Sequence, residues 1–564
     1  MRKKLLFISA LLAVTVARGQ NFAIDPSKPA DASEVEITAV NMAIIYGDSI
    51  HIVSPDEVEP AMARSVSADE VTNFKSEGRA TLTTALLYSY NYPSVDADGN
   101  RVMLSSLMAV PTRIGSAAAK KPEPAHPNNV VIGCHVTITS NYECPTQYNS
   151  KGNFWAVKSD VSMQICYTRY DAIRQPCCLV IMPDYEGYGV TRGHAHPYLY
   201  QELTARQVVD ATRYGLACYN ANVDDNSWSI DKFKSLKDGW KTVCVGYSQG
   251  GSVSLATHRF IEENGLDEEL HFAGSVCGDG PYDPLEHMRY YMTDDGDAYV
   301  VGARTEHRAK TVSMAIVMPL ILKGMCDCNP FMRQHKVSDY LSTDFLCTGV
   351  IDWINAKTNN EREKQYSTGD ITEALRNMQD KGKEGSYRDV DGTLYSKSYT
   401  GPEISEYLYK YVDDNVHAKL SWMLTPAGLK YFEGLTQDGP VPTGRGVFED
   451  LHRALASNSL VSGWTPRHRI GFYHSTYDTV VPFANLMSFV RHQKDLWYYK
   501  EDWSTRTWHT QIDGIKTTTD KSAAGVYIID DHTTNDHVKA GRSFYVMGIP
   551  SPDYKLMKWV LGDY

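Results

Sequence analysis

The sequence predicts an α/β protein, a mostly parallel, doubly wound sheet with helices on both faces and a large, mainly helical cap inserted in it. Short apolar runs recur at Asn129 to Cys134, Cys177 to Met182, Lys241 to Val245, Phe272 to Cys277, Arg469 to Tyr473 and Gly525 to Ile529. Helical patterns separate most of them, including Gln201 to Cys218 and the stretch after Ser248, and buried strands alternating with helices imply a parallel sheet. About 190 residues lie between the runs at Cys277 and Arg469, far more than one crossover helix needs.

Taken in order, the chain begins with Met1-Arg-Lys-Lys4, an apolar run from Leu5 to Ala17 and a small-x-small ending at Ala17-Arg18-Gly19. This reads as a secretory signal peptide over 1–19, cleaved near Gly19, so a secreted or periplasmic protein is expected. No cysteine lies there to carry a lipid anchor. Residues 20–78 are polar and acidic and read as an N-terminal extension. Thr81 to Asn91 and Arg101 to Val110 are β-rich, and Asp96-Ala-Asp-Gly-Asn100 between them is a hairpin signature supplying an antiparallel edge. The core is then expected over 79–282 and 463–564. Residues 283–462 form the cap or lid, containing helical stretches at Ile371 to Gln379 and Glu403 to Asp413 and an apolar helix from Thr311 to Cys326. Such an insertion would cover the C-terminal edge of the strands, where ligands of open α/β sheets bind.

Composition narrows the partners. A formal charge of −12 without a basic cluster argues against nucleic acid or an anionic membrane surface. The Thr311 to Cys326 run is broken by Ser313, Pro319 and Lys323, so no stable membrane span is expected. Of the 11 cysteines, Cys177, Cys178, Cys244 and Cys277 sit in strand patterns and read as core, whereas Cys326, Cys328 and Cys347 are the better disulfide candidates.

The most informative segment is Val243-Cys-Val-Gly-Tyr-Ser-Gln-Gly-Gly251, a buried strand entering a sharp turn with Ser248 at its apex. In Gly-x-Ser-x-Gly the positions of Gly246 and Gly250 must lack side chains for the turn to lift a hydroxyl above the sheet edge. The helix that follows points its N-terminus at any oxyanion formed beside Ser248. A serine needs a base, and the base an acid to orient it. Asp478, in a loop just past the run Arg469 to Tyr473, fits the acid. The base is expected in Asp530-Asp-His-Thr-Thr-Asn-Asp-His537, with His537 preferred for its place at the mouth of the last helix and His532 as the alternative. Oxyanion donors are expected from the Gln249 amide and from the loop after Cys134, at Val136 or Thr137. His135 in that loop reads as structural. There is no His-Glu-x-x-His, and His194-Ala-His196 is only a two-ligand fragment, so neither metal nor cofactor is expected.

Ile181-Met-Pro-Asp-Tyr-Glu-Gly-Tyr-Gly189, Gly246-Tyr-Ser-Gln-Gly250, Trp464-Thr-Pro466 leading to Asp478-Thr-Val-Val-Pro482, and the closing histidine segment together resemble the secretory lipases, the lipase A-like branch of the α/β-hydrolase superfamily. The likeness runs from about Arg79 to the C-terminus. It implies the α/β-hydrolase fold, triad roles for Ser248, Asp478 and one of His532 or His537, and a lid over an acyl pocket; Asp184 and Glu186 are expected to be structural. His135-Val-Thr137 resembles the His-Gly-Thr oxyanion loop of related esterases but replaces its glycine by Val136.

The expected activity is hydrolysis of small-molecule or lipid carboxylic esters through an acyl-enzyme, with the acyl group under the Thr311 to Cys326 segment. A serine peptidase of the same fold is the nearest rival. A catalytically silent binding protein is the rival from another class.

Overall fold

The computed structural model describes residues 21–46, 49–54, 83–114, 122–149, 154–156, 160–169, 177–293, 310–355, 367–410, 416–436, 439–533, 536–545 and 551–562. The expected signal peptide lies outside them. One sheet of thirteen strands organises the chain. Its path is built from β1 (Glu36–Tyr46), β2 (Ser49–Val53), β3 (Thr83–Val95), β4 (Arg101–Ile114), β5 (Asn129–Cys134), β6 (Phe154–Ala156), β7 (Cys178–Pro183), β8 (Thr242–Tyr247), β9 (Phe272–Gly278), β10 (Arg469–Ser475), β11 (Tyr498–Asp502) and β12 (Val526–Asp531). In space these run β11-β12-β10-β9-β8-β5-β7-β4-β3-β1-β2-β6, with Pro122–Pro124 paired to β4 off the path.

From β11 to β7 every neighbouring pair is parallel, whereas β7-β4, β4-β3, β3-β1, β1-β2 and β2-β6 are antiparallel. Strands β7 and β8 are buried at every position, as strands covered on both faces must be, which explains their continuous apolar runs. Because the seven strands of this block point one way, their C-terminal ends emerge along a single edge.

Within the segment read as an N-terminal extension, Glu36–Tyr46 and Ser49–Val53 form strands of the main sheet. β1 pairs with β3 and β2 with β1, so this segment widens the sheet. Its strand character is hard to read because Met42-Ala-Ile-Ile45 is a short buried run inside an acidic stretch. β11, Tyr-Tyr-Lys-Glu-Asp, escapes a search for apolar runs for a related reason. It is an edge strand, and its Lys500 and Tyr499 are only half buried.

Between β9 and β10 the chain builds a second apolar cluster. Its helices include α1 (Pro284–Thr293), α2 (Val317–Cys328), α3 (Thr368–Lys381) and α4 (Val447–Ser457). Short strands join them, in a three-stranded sheet of Thr311–Val312, Val416–Lys419 and Leu408–Lys410 and a hairpin of Lys383–Arg388 with Leu394–Tyr399. The apolar Thr311 to Cys326 run is therefore a strand, a turn and then helix α2, the β-branched pair Thr311-Val312 pairing with Val416–Lys419. No disulfide forms: all eleven cysteines are free and buried, Cys326, Cys328 and Cys347 among them. Cys326 and Cys347 lie in the second cluster, and Cys328 packs in the cluster of the main sheet.

Candidate active site

The turn after β8 is tight enough to exclude side chains at both glycines. A Cβ on Gly246 would overlap the carbonyl of Gly250, and one on Gly250 the carbonyl of Cys134. Ser248 itself sits at φ 58°, ψ −125°, a conformation that costs about 1–3 kcal/mol and is held here by the surrounding structure. Its amide donates to the carbonyl of Gly278 at the end of β9 (2.8 Å), which ties the turn to the neighbouring strand. Helix α5 (Gln249–Glu263) starts at the next residue.

Two other strand ends bring groups to this hydroxyl. The loop after β10 carries Asp478, fully buried, whose Oδ1 accepts the amides of Val480 and Val481 at 2.8 Å each. That fixes Oδ2, which lies 2.5 Å from Nδ1 of His537. His537 opens helix α6 (His537–Phe544) after β12, and its Nε2 lies 2.8 Å from Ser248 Oγ. With Nδ1–H given to the carboxylate, Nε2 presents its lone pair to the hydroxyl. His474 and His287 donate Nε2–H to the carbonyls of Val481 and Val480 at 2.8 Å each; burial lowers both to about 4, so these props of the Asp478 loop stay neutral.

A cavity of about 600 Å³ opens beside Ser248. Val136, Ile138 and Met163 line it from the sheet side, and Met314, Val317 and Ile321 from the second cluster. Val317 also packs with Val480 and Val481, so α2 rests directly on the loop that carries Asp478.

By sequence, no family model and no curated protein matches the chain. By structure, a point mutant of the rice cell wall degrading esterase LipA from Xanthomonas oryzae superposes with a TM-score of 0.51 at 15% identity, over 94% of this chain and 98% of that one. The fold is that of the α/β-hydrolases. Candida antarctica lipase A in its closed state aligns at a TM-score of 0.48 and 11% identity, over 85% of this chain and 78% of the other.

Within this α/β-hydrolase fold, Ser248, Asp478 and His537 come together, while His532 does not reach the serine. Its Nε2 lies 2.7 Å from Asp530 Oδ2 on the same strand end, and its ring is partly exposed. The oxyanion loop differs from expectation at one residue. Val136 gives its amide to Asp160 Oδ2 at 2.6 Å, so that amide is committed to a carboxyl group and not to a reacting oxygen. Thr137 lines the cavity, its hydroxyl 2.8 Å from that of Tyr198. Gln249 is held through its side chain. Its Nε2 donates to Nε2 of His196 (3.0 Å), whose Nδ1–H goes to the carbonyl of Glu186 (2.8 Å). His194 faces Glu186 Oε1 at 3.2 Å, so His194 and His196 are both engaged by the polypeptide.

Asp184 takes the Ser105 hydroxyl and both the amide and the hydroxyl of Thr146, which ties the end of β7 to β4 and to the loop after β5. His135 stacks on Tyr185, their ring centres 3.9 Å apart, with burial lowering the imidazole to about 4.

Sequence reasoning overlooked the group behind the histidine. Asp279, at the end of β9, is fully buried, and burial together with the nearby Asp478 carboxylate pushes it well above the usual carboxylate range. Its Oδ2 lies 2.5 Å from the Tyr247 hydroxyl, which in turn reaches the carbonyl of His537 at 2.7 Å. Tyr247 has one proton for two neighbours, so a neutral Asp279 completes the chain, donating to Tyr247 while Tyr247 donates to His537. Gly278-Asp279-Gly280 immediately after a buried strand was the available signal.

Proposed function

We propose that the protein is an exported serine hydrolase of carboxylic esters, in which Ser248 attacks the ester carbonyl and forms an acyl-enzyme. His537 Nε2 takes the hydroxyl proton and returns it to the leaving alkoxide, Asp478 holds the imidazole in the required tautomer, and a water then repeats the sequence to release the acid. The Gln249 amide, at the start of α5, and the Thr137 amide are the oxyanion donors in this reading. One observation carries it: an unbroken Ser248–His537–Asp478 hydrogen-bonded line that opens on a largely apolar cavity. The apolar walls at Ile138, Met163, Val317 and Ile321 suit an acyl chain, with α2 as the lid over it. Sharing its fold with an esterase supports the same assignment.

A serine peptidase is favoured only by two carboxyl groups in the cavity, Glu143 and Asp160, which could bind an amine. Burial pushes Glu143 up to about 7 and Asp160 up to about 6, and each already accepts backbone amides, which weakens both as anchors for an ammonium group. Ser248→Ala should abolish both fluorophosphonate labelling and turnover of p-nitrophenyl esters, at least about 10³-fold, with the unfolding midpoint unchanged. Retained turnover would refute the nucleophile; preference for aminoacyl anilides over esters would move the assignment to a peptidase.

A further inference from the structure

Displaced from the serine, His532 belongs to a different cluster. The end of β11, the loop that returns from it and the end of β12 converge there, bringing Asp502, His509 and His532 together with one ligand atom of each within 4.8 Å of the others. Asp502 is buried and already oriented. Its Oδ1 takes the Ser504 hydroxyl (2.6 Å) and the Thr505 amide (2.7 Å), leaving Oδ2 3.8 Å from His532 Nε2.

Asp530, fully buried, stands behind them. Its Oδ2 accepts from Lys500 Nζ (2.8 Å) and from His532, but its Oδ1 makes no hydrogen bond. Nε2 of His509 is likewise buried without a hydrogen bond, and these two orphaned atoms face each other across 3.7 Å. Burying two unmatched polar atoms toward one point is costly unless something sits between them.

We infer that Asp502, His509, His532 and Asp530 bind a divalent cation of the zinc class. Two imidazoles with carboxylates select such an ion over magnesium or calcium, which prefer all-oxygen shells. Ligand atoms of a tetrahedral zinc lie about 3.3 Å apart, given bonds of about 2.0–2.2 Å, so the His509–Asp530 and His532–Asp502 separations of 3.7 and 3.8 Å, and the 4.8 Å limit on the Asp502, His509 and His532 atoms, require the shell to close around the ion as it binds. The outer hydrogen bonds already suit the ion. His532 Nδ1 lies 3.2 Å from Thr476 Oγ1, which can pass its own proton to the Asp531 carbonyl at 3.2 Å, so Nδ1–H is satisfied, and Nε2, now 2.7 Å from Asp530 Oδ2, would give up that contact's proton to coordinate the ion. Lys500 balances one of the two carboxylates, and the ion balances the other. Four protein ligands would make the site structural. It would clamp β11 and its return loop to the strand end from which the chain proceeds to His537.

Calorimetric titration of the chelator-stripped full-length protein with zinc chloride should show one ion per chain. Zinc should also raise the unfolding midpoint, and calcium should do neither. His509→Ala and His532→Ala, each checked for cooperative unfolding, should weaken zinc binding at least about 100-fold. Should either variant fail to fold, protection of His509 and His532 in the wild-type protein from diethylpyrocarbonate by zinc gives the same answer. Absence of stoichiometric binding, equal binding by the folded variants, or no protection of either histidine would overturn the site.

Discussion

The carboxyl groups around Ser248 differ less in chemistry than in how the interior treats their charge. Asp478 accepts two amides and an imidazole N–H, while Asp279 beside it is buried against that charge and favours its protonated form. A neutral acid there can be replaced by an amide of the same shape. Asp279→Asn should leave stability within about 1 kcal/mol of wild type, whereas Asp279→Ala should cost about 1–3 kcal/mol by orphaning the Ser475 amide and removing the donor to the Tyr247 oxygen. Urea unfolding separates the two outcomes. Asp160 makes a pH-dependent claim. Burial raises it from 3.8 to about 6, so the folded state holds its proton more tightly than the unfolded chain does. Its contribution is complete below the unfolded value and is lost as pH rises through about 6. Asp160→Asn, which keeps an acceptor for the Val136 amide, should therefore flatten part of the decline in stability between about pH 4 and 6, by at most about 3 kcal/mol. Unfolding curves of both proteins across that range test it, and parallel profiles would contradict the assignment.

Among the elements, those that bring Ser248, Asp478 and His537 together were the most legible in the sequence. β8, β10 and β12 are continuous apolar runs, and a parallel sheet leaves their ends on one edge, so Ser248, Asp478 and His537 could be placed in the chain and in space. What could not be read was side-chain direction inside the loops. Nothing in His135-Val-Thr137 says that Val136 will turn its amide to Asp160, which belongs to another element 24 residues on. Choosing between His532 and His537 rested on position before a helix, and the deciding contact, Nε2 to Oγ, spans 289 residues of chain. Helix α2 shows the same limit. Its apolar run was visible, but the strand-turn-helix division depends on pairing with Val416–Lys419 about a hundred residues later. Because Ile321 on α2 lines the cavity, Ile321→Trp should shorten the acceptable acyl chain. The expected result is a fall of about tenfold or more in kcat/KM for octanoyl over acetyl p-nitrophenyl esters, and an unchanged ratio would place the acyl group elsewhere.

Across the whole molecule, no covalent cross-link supplements burial, hydrogen bonds and ion pairs. All eleven cysteines are buried without a single bridge, and burial pushes the Cys134 thiol up to about 12 and raises those of Cys244 and Cys277, which keeps these three protonated and unreactive in the folded state. Excess dithiothreitol should leave the unfolding midpoint unchanged, and thiol titration should count eleven groups only after denaturation; a drop in the midpoint on reduction would contradict the free-thiol assignment.

The order of the strands along the polypeptide carries one further consequence. The turn that carries Ser248 is complete once β8 and β9 are made, yet Asp478 and His537 lie beyond the second apolar cluster, His537 at the start of the helix that follows the last strand of the sheet. During synthesis the serine therefore waits, unassisted, for nearly half the polypeptide to emerge. On the proposed function, the wall that the second cluster gives the cavity is laid down before the hydrogen-bonded line to Ser248 is closed, and a chain interrupted ahead of His537 should be inert.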